Sequence, residues 1–388
     1  IVTDKGEFKE TLKPMFDFLK EKQLHWKEAT EYYKQIKITF GTLVTILHSD
    51  EETVYQSLLS DSSVGFRFCS GSREEESAAI QLIKSEPLYV IDLTAVFTIF
   101  ILAMENYAAE KYRFAIAQST KNVIEEIYQE AKYHGKRERI ILGGDGDRPI
   151  TTVVSKEDVE FRLKRLDDIR YWLDNSCDVI EVREALNLNA DEKEELDFSM
   201  GSSFHDTILI AKDSSRILYS DDYALREYAK DNYNVKGIWS QPFLRHLLNS
   251  GIIANGQYLD SCVKFTCSNF LHTSITPDIL FHAAMISEWK LEPPFECTIN
   301  ILGGKYSDFD PAANVSVGFL AKMWDQTIVS SRLGNFIHLT INALLKDRPE
   351  RIKLLRRFVL IAEARLTNSP LLLREILSVI RALERGGL

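Results

Sequence analysis

Between residues 87 and about 240 the chain alternates two hydrophobic rhythms. "LYVI" (88–91) is a short β-branched apolar run of the kind buried in a parallel sheet. Past Asp92 the run "LTAVFTIFILAM" continues at helical length. "KYRFAIA" reads as a second strand, "QST" as a turn and "KNVIEEIYQEAKYHGK" as a helix. A third strand-like unit runs "HDTILIAKDSSRILYSDDYALREYAKDNYNVKGIWS". Strand and helix in alternation predict an α/β fold, a parallel sheet covered by helices. "GGDGDRP" (143–149) lacks both the Lys-Ser/Thr of a phosphate-binding loop and the spacing of a calcium loop, so it reads as a flexible turn. Residues 155–200 read as one long helical stretch in which acids outnumber bases.

The flanks keep mainly the helical period. "EFKETLKPMFDFLKEKQ" and "KEATEYYKQIK" predict helices, "DEETVYQSLLSD" has an acidic first turn, and "SREEESAAIQLIKSEP" is a helix stopped by Pro87. "ITFGTLVTIL" (38–47) fits strand or helix equally. From "QPFLRHLLNSGII" onward the pattern is again mostly helical. The expected organisation is a helical module over 1–86, an α/β domain over 87–253 with an acidic helical insertion at about 155–200, and a helical module over 254–388.

Composition and charge narrow the function classes. The chain has 388 residues, 45% of them hydrophobic, and a formal charge of −10. That charge argues against wrapping nucleic acid non-specifically, but leaves room for a local basic groove or an acidic pocket for metal ions. Cys69, Cys177, Cys262, Cys267 and Cys297 show no Cys-x-x-Cys spacing, so free buried thiols in a reducing, cytoplasmic compartment are expected. The longest apolar run falls well short of the roughly 20 residues a membrane span needs, so no membrane association is expected. The chain opens "IVTDKGEFKE", without Met, which fits a fragment or a processed chain.

The candidate chemistry lies in four acidic positions of the α/β segment. Asp92 ends the first strand; Glu126, beside Glu125, is on the following helix; Asp206 precedes "TILIA"; Asp222, beside Asp221, follows "RILYS". In open parallel sheets the functional crevice lies outside the carboxyl ends of the strands. Carboxylates gathered there repel one another unless a cation joins them, and oxygen ligands suit Mg²⁺ or Mn²⁺. Each acid also has a plainer reading: Asp92, Asp206 and Asp222 as helix caps, and one of Glu125 and Glu126 on a solvated helix face.

Taken in order, "VIDLTAV" (Asp92, Thr94), "QSTKNVIEEI" (Glu126 or Glu125), "SSFHDTILIA" (Asp206) and "ILYSDDYALR" (Ser220, Asp222 or Asp221) resemble the motifs of a PIN domain, over about 87–253. The flanking helices resemble those of larger bacterial PIN-containing proteins. The resemblance implies a metal-dependent endoribonuclease in which Asp92, Glu126, Asp206 and Asp222 hold Mg²⁺ or Mn²⁺. Thr94 and Ser220 would orient them. The implied partner is RNA, or single-stranded DNA, its backbone met by Lys111, Arg113, Lys121, Arg216 and Arg226. A protein partner on the helical modules and a homo-oligomer are also open. The alternative is a catalytically degenerate PIN-like scaffold, or a nucleic-acid-binding regulatory subunit of a bacterial defence or toxin assembly. The gap from Glu126 to Asp206 is long for a compact PIN domain, which leaves Glu194, Glu195 and Asp197 as competitors for the third ligand. The basic run "KDRPERIKLLRRF" (Lys346, Arg348, Arg351, Lys353, Arg356, Arg357) reads as a solvated or partner-contacting helix face, or one that meets phosphates.

Overall fold

The structure is a computed structural model of the chain. It describes residues 5–85, 88–134, 139–145, 148–182, 189–213, 215–303, 307–326 and 330–385. By internal contacts the chain divides into two compact units, 1–64 with 79–240, and 65–78 with 241–388.

The first unit is built on a five-stranded sheet. Its strands, in chain order, are Leu88–Ile91, Phe114–Ala117, Cys177–Ile180, Arg216–Tyr219 and Gly237–Ile238. Numbered that way, their spatial order is 3-2-1-4-5, and every pairing is parallel. The first strand pairs with the second on one side and with the fourth on the other, Leu88 opposite Arg216 and Ile91 opposite Tyr219. The strand order therefore reverses between the first and fourth strands, and a doubly wound sheet binds its ligands at that kind of switch point. "VI", "FAIA" and "ILY" are buried because helices cover both faces of such a sheet.

Two expectations need correction. The stretch 155–200 is not helical throughout: Lys156–Ser176 and Ala190–Met200 are helices, but Cys177–Ile180 between them is the edge strand beside Phe114–Ala117. Four residues with one acid and two exposed positions carry little apolar signal, and an edge strand buries little. Nor is "GGDGDRP" simply a loop. Arg139–Asp145 and Arg148–Val154 pair antiparallel, with Gly143–Asp145 and Arg148–Pro149 inside the arms. Gly146 and Asp147 lie outside the described residues.

The helices that precede the sheet share its unit. "ITFGTLVTIL" resolves as the helix Phe40–Leu47, capped by Thr39, whose hydroxyl accepts the Thr42 N–H. Glu51–Ser60 follows, capped by Asp50. Asp206 does not open a helix; it lies in the middle of Ser202–Ala211.

The second unit is mainly helical. It contains a short parallel ladder, Phe66–Arg67 against Phe270–Leu271, packed around the rings of Phe66, Phe68, Phe265 and Phe270. All five cysteines are free thiols, but only Cys69, Cys177 and Cys262 are buried; Cys297 is half-buried and Cys267 is exposed, contrary to the expectation that all would be buried. Among the described residues no helix is long and apolar enough to cross a membrane.

Candidate acidic site

At the switch point, two strand-to-helix junctions are tied together by hydroxyl groups. Asp92 caps the helix Leu93–Ile101: its Oδ1 accepts the Ala95 N–H at 2.9 Å and the Thr94 hydroxyl at 2.8 Å. Its Oδ2 accepts the Ser220 hydroxyl at 2.6 Å, from the neighbouring strand end. In return Thr94 Oγ1 accepts the Asp221 and Asp222 N–H groups, and Ser220 Oγ accepts the Asp222 N–H at 3.1 Å. A small hydroxyl two residues from each acid is what this reciprocal arrangement needs, because it donates to a carboxylate and accepts from an amide at once.

The two acids of the doublet then diverge. Asp222 caps Tyr223–Tyr233 through Oδ1, which accepts the Ala224 N–H at 3.0 Å. Its Oδ2 accepts the N–H of Phe40, 182 residues earlier in the chain, at 2.6 Å. Asp221 instead accepts both the N–H (2.7 Å) and the hydroxyl (2.6 Å) of Ser240. Since that hydroxyl donates to Asp221, the Tyr219 hydroxyl 2.9 Å away donates to Ser240, giving a buried relay from Tyr219 through Ser240 to Asp221.

None of the three carboxylates is more than 1% exposed. Burial pushes Asp92 up to about 7 and Asp222 up to about 6, and it raises Asp221 as well. Hydrogen bonds oppose this at every one of them, and the Arg226 guanidinium does so at Asp221 and Asp222. Arg226 is itself buried, donating to the Ser220 carbonyl at 2.7 Å and lying over the Trp239 ring. It is part of the wall, not a free contact for RNA.

Asp206 stands beside a different group. Its Oδ2 accepts the Ser119 hydroxyl at 2.7 Å, just past the carboxyl end of the second strand. Its Oδ1 is buried without a hydrogen bond, and the Lys193 ammonium lies 3.6 Å from it. Lys193 also reaches Asp197 at 2.5 Å, and Asp197 contacts Nδ1 of the buried His205 at 3.0 Å. Asp197, a competitor for the third ligand position, thus shares a lysine with Asp206.

Glu125 and Glu126 lie within the helix Gln118–Tyr133. Glu125 is bound by Gln129 and by Arg170 at 2.6 Å. Glu126 is exposed and lines an open pocket with His48, Asp50, Glu51 and Glu130. There burial raises Glu51 to about 7, and the charges of Asp50 and Glu126 add to the rise.

The basic residues expected to meet a nucleic-acid backbone are mostly engaged at the other end of the sheet. The parallel register puts Arg113 just before Phe114 and Arg216 opposite Leu88, at the amino ends of their strands, whereas Asp92 and Ser220 follow the carboxyl ends. At about 3.3 Å per residue, four-residue strands separate those ends by more than 10 Å. Arg113 is paired with Asp178 and Lys121 with Asp174; Arg216 donates to the Ile210 carbonyl, and the Lys111 ammonium lies over Tyr112. In the second unit, Arg348 of the C-terminal basic run is taken by the Leu302, Ser307 and Leu344 carbonyls and Arg357 by Asp310. Arg351, Lys353 and Arg356 are exposed on the helix Arg351–Arg365.

Ser119, Lys193, Ser240 and the Phe40 amide were not singled out from sequence. "WSQP" after the short last strand was the available sign for Ser240, since Ser at a helix start pairs readily with a nearby acid. A backbone amide from "ITFGTL" left no sign at all.

A switch point with strand-end acids and interleaved Ser and Thr defines a PIN-like α/β domain flanked by helical regions. More particularly, residues 90–231 match the family model for the PIN domain associated with the TPR-GreAB-C-PIN system. No curated protein and no solved structure matches the chain. PIN domains are nuclease-associated and typically use divalent metals.

The residues present fit such an ion in kind. The donors are hard carboxylate oxygens, and the buried Oδ1 of Asp206 makes no hydrogen bond, its ion-pair partner Lys193 standing 3.6 Å away. In this conformation, however, no three His, Cys, Asp or Glu side chains among the described residues lie close enough together to hold a metal ion.

Proposed function

We propose that the chain is a metal-dependent ribonuclease acting through its PIN-like domain. One observation carries this reading. Asp92 and Asp222 are both buried at the switch point and joined through Thr94 and Ser220, each with a second oxygen beyond the one its capping role requires. A capping Asp works at the surface; burying a pair of them costs stability that capping alone does not repay, and such costs gather at functional sites.

In this reading Asp92, Asp222 and Asp206 would hold Mg²⁺ or Mn²⁺, which when bound supplies charge neutralisation and activation of water against the phosphodiester. The chain's own residues do the positioning. The Thr94 and Ser220 hydroxyls fix the rotamer of Asp92. Arg226 locks the Ser220 carbonyl and with it the turn carrying Asp222. Glu126, expected as a fourth ligand, stands in another pocket and is left out of the proposed set. The substrate is RNA, or single-stranded DNA, in the cytoplasm. The family description names a TPR and GreAB-C system, which supports a protein partner for the helical regions.

The second reading, a degenerate PIN-like scaffold, is favoured by the same absence of three converging ligands among the described residues. In it Asp92 and Asp222 serve only as buried caps. The deciding experiment is Mn²⁺-dependent cleavage of single-stranded RNA by the purified chain. Cleavage that Asp92→Asn removes supports the nuclease; no cleavage in either protein supports the scaffold.

A further inference from the structure

The amino end of the Phe40–Leu47 helix is seated on the acidic site. The Phe40 N–H donates to Asp222 Oδ2 at 2.6 Å, and Thr39 caps the same turn. The Phe40 ring is fully buried, edge-on to Tyr55 and to Phe204. The next residue, Gly41, lies so near the chain that a Cβ there would come within 1.9 Å of the Met200 carbonyl and 2.6 Å of the Phe204 ring. The helix backbone therefore rests directly on the segment leading into Asp206. Asp222, which receives this amide, is 1% exposed.

A helix amino end carries a partial positive charge and free amides, so it is a favourable partner for a carboxylate. A divalent cation would compete for the same oxygen. We propose that the Phe40–Leu47 helix is a built-in stopper: its amide occupies the oxygen of Asp222 that a metal ion would take. The helix must withdraw before an ion and a phosphodiester can enter. This rests on the nuclease reading above.

The helix has features of a movable part. It has eight residues, too few to be stable without its packing. It is bounded by Ile36 and His48, both in the left-handed backbone region, so the chain turns sharply on each side. Gly41 occupies a place where any side chain would lift the helix off Met200.

The test measures Mn²⁺ binding to the full chain by electron paramagnetic resonance of the free ion, and amide hydrogen exchange over residues 38–48. The proteins are wild type, Gly41→Ala and Thr39→Ala. Thr39→Ala removes the cap without adding bulk, and it carries the comparison if Gly41→Ala is unfolded by circular dichroism. The stopper predicts Mn²⁺ binding about tenfold tighter in the variants, the size of effect expected from losing a helix cap. It also predicts that Mn²⁺ speeds exchange over Phe40–Leu47 in wild type. Equal Mn²⁺ binding in all three, with exchange unchanged, overturns the stopper and leaves the nuclease reading standing. No Mn²⁺ binding by any of them overturns both.

Discussion

Of the acidic doublets in the chain, the fold treats Asp221–Asp222 and Glu125–Glu126 in opposite ways. Asp221 and Asp222 follow a strand; both are buried, and each is bound by a distant part of the chain, Ser240 in one case and Phe40 in the other. Glu125 and Glu126 lie in the middle of the helix Gln118–Tyr133, one paired with Arg170 and the other in an open pocket. A doublet where a strand ends meets the free amides of the next helix and the hydroxyls of the neighbouring strand. A doublet inside a helix has no free amides to meet, since those are already bonded within the helix. Position relative to an element end, more than the acids themselves, decides which pair becomes a site.

That contrast breaks first on stability. Asp221→Ala strands the Ser240 N–H and hydroxyl and, through the relay, the Tyr219 hydroxyl, all buried. A loss of about 3 kcal/mol or more in unfolding free energy is expected from urea titration. Glu126→Ala, on an exposed face, should change it by about 0.5 kcal/mol or less. Comparable losses would mean that the two doublets do not differ as described.

The next largest effect is on activity. If the purified chain cleaves single-stranded RNA with Mn²⁺, Asp92→Asn should lower the rate by about 100-fold or more, while Glu126→Gln stays within about threefold of wild type. A dead Glu126→Gln enzyme would return that residue to the site and require the helix to move.

How far the sequence revealed this site depends on what kind of contact made it. The first and fourth strands, the Asp92 and Asp222 junctions and their Thr94 and Ser220 partners were readable, because apolar runs ending in an acid and a hydroxyl are local signals. The edge strand Cys177–Ile180 was not, since it has four residues, two of them exposed, and one neighbouring strand. Arg226 looked like a surface base on a helix; only the close approach of Gly237, where a Cβ would lie 2.8 Å from its Cδ, brings it into the core. Lys193 beside Asp206 and the Phe40 amide on Asp222 are contacts between separate elements. No spacing along the chain encodes them.

The pH dependence sharpens the comparison further. The folded protein holds Asp92 near 7 and Asp222 near 6, both well above an unfolded aspartate. A carboxyl with a raised pKa binds its proton more tightly in the folded state. Its contribution to stability is therefore complete below about pH 4 and is lost as pH rises through the folded value. Each such group makes stability fall by at most about 1.4 kcal/mol per pH unit between those limits. Urea titrations at pH 5 and pH 8 should show wild type losing more stability than Asp92→Asn over that step. The reverse order would mean that Asp92 is held ionised.

The smallest expected effect belongs to the other doublet. Glu125 is held below the ordinary carboxylate range, first by the Gln129 amide and then by Arg170, and it remains partly exposed with Arg170. Water and salt screen such a pair, so Arg170→Ala should cost about 0.5 kcal/mol for the ion pair itself, and the cost should shrink in high salt. Arg170 also covers the Tyr128 ring, its guanidinium 4.1 Å from the centroid, and that stacking is insensitive to salt. Comparing Glu125→Gln with Arg170→Ala at low and high salt separates the two contributions. A salt-independent cost in both variants would show that packing, not charge, holds this helix face. Glu125 would then be structural in the same sense as Asp221, and the difference between the doublets would be one of burial alone.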